Sequence, residues 1–160
     1  MKKILYVTLI LVMVLAIAGC GNAKSETAQQ VYSFWGENEE IRIMNGVAVI
    51  GGEQETFYGG ILEVKGDLFR EITGYSMRYS ISDGTESWTI LNNVVADETG
   101  TTFALQNQET GQITGQLLNS NMEESALCDG LSFELTVVDQ DGVPQTFTLP
   151  LEVTQITSEK

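Results

Sequence analysis

Histidine is absent from the 160 residues of this chain, and cysteine and proline occur only twice each. Without histidine there is no Ser-His-Asp triad, no Cys-His pair and no imidazole ligand for a metal ion. These absences remove the commonest hydrolase and zinc-site chemistries before any strand or helix is assigned.

Positive charge is also scarce, with 8 lysines and arginines against 22 aspartates and glutamates and a formal net charge of -14. Nucleic-acid binding requires basic residues that neutralise phosphates, so the composition excludes DNA and RNA as partners. The same charge repels anionic lipid headgroups over the screening length of about 10 Å.

The first twenty residues form a recognisable leader. Lys2 and Lys3 precede the apolar run Ile4 to Ala18, which is shorter than the ~20 residues that span a bilayer and is typical of a secretory signal. The segment Leu15-Ala16-Ile17-Ala18-Gly19-Cys20 resembles the lipobox of bacterial lipoproteins. The resemblance implies a signal peptide over 1–19, a diacylglyceryl (palmitate-type) lipid on Cys20 and a lipid-anchored protein on the extracytoplasmic face of the cell membrane.

Residues 20–30 follow as the lipidated cysteine and a small, polar segment of flexible-linker composition. Lipidation of Cys20 leaves Cys128 without a disulfide partner. A nucleophilic cysteine needs a neighbouring base, so Cys128 is interpreted as a small buried hydrophobe.

Three pairs of apolar segments predict hairpins in the remaining chain. The first joins Ile41–Met44 to Val47–Ile50 through Asn45-Gly46, a pair that favours a type I′ turn. Its register places four apolar side chains on one face: Ile41, Ile43, Ala48 and Ile50. Met44, Val47 and Val49 leave the other face partly apolar, so another element is expected to cover it.

The second hairpin joins Gly74–Ser82 to Glu86–Val95 around Asp83-Gly84, with Tyr79 opposite Trp88. Its expected core face consists of Tyr75, Met77, Tyr79, Ile81, Trp88 and Ile90. The third joins Leu131–Val138 to Thr146–Ile156, and Pro150 indicates an edge position or a bulge in the second partner.

Shorter strands are predicted over Phe57–Lys65, with a bulge or bend at Gly59-Gly60, and over Thr101–Asn107 and Gln112–Leu118. Single helical turns are expected near Gly66–Glu71 and Met122–Cys128. About eight or nine strands in one domain over 31–157 predict an all-β, two-sheet antiparallel sandwich that is immunoglobulin-like in architecture, with a small barrel as the alternative.

The candidate binding residues are aromatic side chains near glycines and charges. An exposed set would suit sugar stacking or a protein partner, and the candidates are Tyr32, Trp35 and Tyr58. Trp35 is expected to lie in a loop because Gly36-Glu37-Asn38 follows it. The opening Tyr32–Asn38 followed by Asn-Gly resembles small uncharacterised lipoproteins of Gram-positive bacteria, which implies no activity.

Asp139-Gln140-Asp141-Gly142 begins like a calcium loop but lacks the closing glutamate. Asp139 and Asp141 are therefore candidate calcium ligands, and a plain hairpin turn is the alternative.

Other acidic clusters leave a carboxylate-dependent glycan hydrolase open: Glu37/Glu39/Glu40, Asp97/Glu98 and Glu123/Glu124. The pattern as a whole favours a non-catalytic binding or scaffolding module for an envelope protein or glycan. A passive structural lipoprotein is the other alternative.

Overall fold

The computed structural model describes residues 29–51, 54–67, 69–97, 99–117 and 124–156. The leader and Cys20 lie outside these residues, so lipidation stays a prediction. The described strands are β1 (Gln30–Glu37), β2 (Ile41–Ile50), β3 (Glu55–Tyr58), β4 (Ile61–Val64), β5 (Ile72–Ser82), β6 (Ser87–Ala96), β7 (Gln108–Glu109), β8 (Gln112–Gly115), β9 (Leu131–Asp139), β10 (Pro144–Pro150) and β11 (Glu152–Gln155). One helix, α1 (Glu124–Gly130), precedes β9.

The strands form two antiparallel sheets. The larger, seven-stranded sheet has the order β11-β1-β2-β3-β8, with β4 paired to β2 and β7 to β4. The smaller sheet has the order β10-β9-β5-β6. Alternate side chains of both sheets point into one shared core, and the predicted all-β sandwich is confirmed.

Aromatic rings join the two sheets at the centre of this core. The ring of Phe34 in β1 stacks on Phe57 in β3 at 5.0 Å, and Tyr79 in β5 contacts the Phe57 ring edge-to-face at 5.1 Å. Phe133 in β9 extends the cluster behind Tyr79 at 4.9 Å. Rings in this separation range add about 0.5–1.5 kcal/mol per pair to their burial.

The predicted hairpin at Asn45-Gly46 is wrong, because β2 runs straight through these residues. Asn45 adopts a positive φ of 58°, as the pair favours, but it does so within a bulge that adds one residue to β2 opposite β1. Long-range pairing to β1, β3 and β4 decides the outcome. The extra residue also shifts the alternation, so the predicted inner residues are still the buried ones: Ile41, Ile43, Ala48 and Ile50.

Gly59-Gly60 separates β3 from β4 directly across from this site, and two residues of β2 lie opposite these two glycines, so the pair forms the predicted bend and not a bulge. Gly60 has a φ of +83°, and a Cβ there would lie 2.2 Å from the carbonyl oxygen of Met44. Both neighbouring strands therefore bend at the same level of the sheet.

The second hairpin forms with a longer loop than predicted. Ser82 pairs with Ser87, so the connection contains Asp83 to Glu86, and Tyr79 lies opposite Leu91 instead of Trp88. A second bulge beside Tyr79 completes the change in register. Trp88 faces Ile81 and is only half-buried, so its predicted place fully inside the core is wrong. The other inner residues are buried, apart from the half-buried Tyr75: Met77, Tyr79, Ile81 and Ile90.

The third segment pair divides at Pro150, as its missing N–H suggests. β10 is an edge strand of the smaller sheet and ends at Pro150, after which β11 joins the larger sheet beside β1. Where the chain passes from one sheet to the other, the backbone N–H of Leu151 donates a hydrogen bond of 3.0 Å to the carbonyl oxygen of Leu131. The chain therefore links the two sheets along one side of the sandwich.

Two smaller predictions are wrong. The stretch predicted as a strand over Thr101–Asn107 makes only an isolated bridge, between Phe103 and Ile72. Turns and bends replace the predicted helical turn in the described residues of 66–71. The turn predicted near Cys128 is α1, and β1 is a strand that the sequence pattern did not indicate.

Candidate functional site

Trp35 is the exposed aromatic residue of β1. Tyr32 and Phe34 alternate with Ser33 and Trp35 along the strand, so the first two point into the core and the last two point outward. Trp35 is 48% exposed, whereas Tyr32 is 2% exposed. The expected exposure of Trp35 therefore holds although it lies in a strand and not in a loop, while Tyr32 is unsuited to a surface site.

Tyr58 lies on the same outer face of the larger sheet as Trp35. It is half-buried on β3, where it pairs with Val47, and Val47 pairs in turn with Ser33 of β1. Met44 lies on this outer face too, half-buried. The structure therefore places two of the three sequence-predicted aromatics on one face, with half-buried apolar side chains between their strands.

A shallow groove of about 420 Å³ lies beside Trp35. It is lined by residues of β1 and of the first half of β2: Ser33, Phe34, Trp35, Glu37, Arg42, Met44 and Asn45. The bulge at Asn45 thus lies at the groove wall, where the two strands separate in register.

A network of ion pairs forms the charged end of the groove. Arg42 donates from Nε and Nη2 to Oε2 of Glu37 at 2.9 and 2.7 Å, and its Nη1 lies 3.3 Å from Oε2 of Glu63. Lys65 donates to the other oxygen of Glu37 and to the carbonyl oxygen of Asn38. Hydrogen bonds from Lys65, and then from Arg42, hold the pKa of Glu37 below its usual value.

The turn between β1 and β2 brings these side chains together. Oδ1 of Asn38 accepts hydrogen bonds from the N–H groups of Glu40 and Ile41 at 3.0 and 2.8 Å. This local side-chain cap closes the turn and places Glu37 directly opposite Arg42 in the ladder. The sequence did not indicate this network because its partners lie on three strands.

The shifted pKa values of carboxyl groups in the described residues bear on the paired-carboxylate alternative. The three carboxyl groups whose pKa values shift there are Glu37, Asp83 and Asp97, and all three shift downward. A hydrolytic general acid needs the opposite shift. Of the other cluster members, Glu98 and Glu123 lie outside the described residues.

The Asp139–Gly142 segment has the geometry of a hairpin turn. Oδ1 of Asp139 accepts hydrogen bonds from the N–H groups of Asp141 and Val143 at 2.9 and 2.8 Å, and its carbonyl oxygen accepts from Gly142 at 3.1 Å. No group of three or more metal-ligating side chains occurs in the described part of the chain. The proposed calcium ligands Asp139 and Asp141 are thus joined by turn hydrogen bonds.

Cys128 is half-buried in α1 and packs against the core. Within the described ranges no helix has the length and apolar character needed to cross a membrane.

No protein-family model, curated protein or solved structure matches this chain.

Proposed function

We propose that this chain is a membrane-tethered, extracytoplasmic and non-catalytic binding module, and that its binding surface is the groove beside Trp35. The observation that carries the proposal is a tryptophan nearly half exposed on a rigid strand, next to an arginine held between two carboxylates.

The side-chain types at the groove favour a protein partner from the cell envelope. Tryptophan and arginine dominate binding hot spots, and methionine is enriched at interfaces. Trp35, Met44 and Arg42 supply all three types along one groove. Glu37 and Glu63 fix the guanidinium of Arg42 before binding, which lowers the entropy lost when a partner docks.

Local charge supports the same choice of surface. Arg42 and Lys65 balance Glu37 and Glu63, so the charged end of the groove is locally neutral on a strongly acidic chain, while the exposed Glu152 of β11 lies opposite Trp35. A neutral or weakly acidic partner meets no repulsion at short range there. An envelope glycan is the second candidate, because Ser33 and Asn45 offer polar groups beside the flat face of Trp35.

Site-specific photo-crosslinking in cells tests the binding surface. A photoreactive residue in place of Ser33 should yield a discrete protein adduct, and the same residue in place of Thr146, which is exposed on the other sheet, should not. Trp35→Ala and Arg42→Lys should abolish the adduct without lowering the melting temperature appreciably, since surface changes alter stability within about 0.5 kcal/mol.

An adduct that survives Trp35→Ala, or that forms equally from Thr146, would contradict the groove assignment. Loss of the adduct on adding purified envelope polysaccharide, with that polysaccharide retained by the protein alone, would favour the glycan candidate.

The tether has its own test. The Cys20→Ser chain should accumulate as an unprocessed precursor that no longer incorporates labelled fatty acid. Continued labelling of that variant would show that Cys20 is not the lipid attachment site.

A further inference from the structure

Strand β6 is a long edge strand of the smaller sheet. It contains 10 residues, Ser87 to Ala96, and none of them is charged or proline. Among the described strands only β5 pairs with it. In an antiparallel pair, alternate residues direct both their N–H and C=O groups to opposite sides, so about half of these groups face away from β5.

The other edges of the two sheets are short or flanked by proline. β10, on the opposite side of the same sheet, begins at Pro144 and ends at Pro150, the two prolines of the chain. β8 and β11 each have 4 residues, and β7 has 2. Short strands and proline are common protections against unwanted strand pairing. β6 has neither of these protections.

The second half of β6 is also accessible, uncharged and apolar at its end. Every residue from Asn92 to Ala96 is exposed, and the adjacent valines Val94 and Val95, which point to opposite faces, are 64% and 38% exposed. An incoming strand would therefore find backbone partners and apolar side chains on both faces.

Acidic groups lie at both ends of this edge. Asp83 and Glu86 precede β6, and Asp97 follows it. Backbone N–H groups of Glu86 and Thr85 lower the pKa of Asp83. The hydroxyl and N–H of Thr99 lower that of Asp97. The nearest cation on the neighbouring strand, Arg78, is directed to Glu134 on the far side at 2.8 Å.

We propose that the free edge of β6 binds an extended peptide segment that has a β-branched or apolar centre and a lysine or arginine at each end. The segment would add a fifth strand to the smaller sheet, the mode of recognition in which main-chain hydrogen bonds give affinity. The acidic ends of the edge would select the basic flanks.

The charge pattern disfavours a second copy of this chain as the occupant. Antiparallel pairing of two β6 strands would place the Asp83–Glu86 turn of one copy beside Asp97 of the other. Like charges at both ends of the pair would then oppose association, and each copy carries a strongly negative net charge as well.

The test uses the full chain in detergent micelles and a synthetic peptide. The probe has about eight alternating threonine and valine residues, a length typical of strands, between lysine pairs. We expect it to slow hydrogen exchange at alternate β6 amides. A glutamate-flanked peptide should bind at least about tenfold more weakly. A control lysine-flanked peptide carries N-methyl groups on two adjacent central residues, which blocks one N–H on each edge of the peptide strand. It should not slow hydrogen exchange at the β6 amides.

Two chain variants supply a matched pair. Of the neighbours Asn92 and Asn93, one directs its N–H to β5 and the other directs it outward, so only one of Asn92→Pro and Asn93→Pro should keep the native melting temperature. The variant that does so should lose the probe. The Trp35→Ala chain should bind the probe peptide with unchanged affinity, which distinguishes this site from the groove beside Trp35.

Equal binding of the glutamate-flanked or the N-methylated peptide would overturn the proposal. So would exchange protection away from β6. Concentration-dependent dimerisation of the chain that the outward-facing proline abolishes would identify a second copy as the occupant and would equally reject the peptide.

Discussion

The hydroxyl of Tyr79 in the smaller sheet donates a hydrogen bond of 2.6 Å to the carbonyl oxygen of Gly59 in the larger sheet. Thr110, whose side chain is fully buried, lies 3.1 Å from the same hydroxyl and donates its own to the carbonyl oxygen of Gly60 at 3.2 Å. At the break between β3 and β4, the Gly60 carbonyl oxygen also accepts from the backbone N–H of Thr110 at 3.0 Å, whereas the Gly59 carbonyl oxygen is paired with the Tyr79 hydroxyl. Tyr79 and Thr110 satisfy them inside the core, where an unpaired carbonyl is costly.

Tyr79→Phe should therefore destabilise the protein by about 1–3 kcal/mol, because it keeps the ring but leaves a buried acceptor unpaired. Chemical denaturation of the full chain in micelles measures the change. Tyr58→Phe is the control, since Tyr58 is half-buried on the outer face. Equal effects of the two substitutions would show that the bond across the sheets contributes nothing specific.

Tyr79 also predicts a loss of stability in alkaline solution. Burial raises its pKa well above the ordinary value. The folded protein thus keeps a proton that the unfolded chain releases above about pH 10. Stability is full below that pH and falls as the pH rises above it. Denaturation midpoints between pH 8 and pH 11, as approximate limits, should fall less steeply in Tyr79→Phe.

Gly46→Ala should disrupt the contact between β2 and the aromatic cluster. A Cβ at Gly46 would lie 2.0 Å from the Phe34 ring, so the ring must move, and overpacking of this kind costs about 1–3 kcal/mol. Gly115→Ala is a matched control because a Cβ there meets nothing within 4 Å. Thermal melts that rank the two variants the other way would contradict the packing at Phe34.

Calcium should stabilise the protein no more than ionic strength does. Asp139 and Asp141 belong to no group of three or more potential ligand side chains within the described residues, and two turn hydrogen bonds already hold Oδ1 of Asp139. Melting temperatures in calcium, magnesium and sodium chloride at equal ionic strength should therefore agree. A shift specific to calcium that Asp139→Asn with Asp141→Asn removes would instead establish a metal site.

The alternation of apolar and polar residues correctly predicted which side chains of most strands face the core. It was a poorer guide to which strands pair with each other. The alternating residues of β5 and β9 are buried as expected, because burial depends on the local pattern. Asn45 takes the positive φ that its sequence favours, yet the chain does not reverse there. Whether such a residue makes a turn or a bulge depends on which distant strands lie alongside it.

In the candidate site, too, local sequence predicts some features and the pairing of distant strands determines the others. The exposure of Trp35 is predicted correctly but for the wrong reason, because the expected loop is strand β1 and the exposure follows from the alternation along it. The network around Arg42 does not, since Glu63 reaches it from another strand 21 residues away. Likewise, the open edge of β6 becomes visible only once the sheet order is known.

The position of β1 determines how the domain meets a mechanical load. The chain enters the sandwich at Gln30, and β1 pairs over most of its length with β2 on one side and from Tyr32 to Trp35 with β11 on the other. Hydrogen bonds in these ladders run perpendicular to the strand. A pull applied at Gln30 along the axis of β1, against the rest of the larger sheet, would load both ladders in shear. A pull between Gln30 and the end of β11 would instead separate β1 from β11 one bond at a time, because Gln155 lies beside Tyr32.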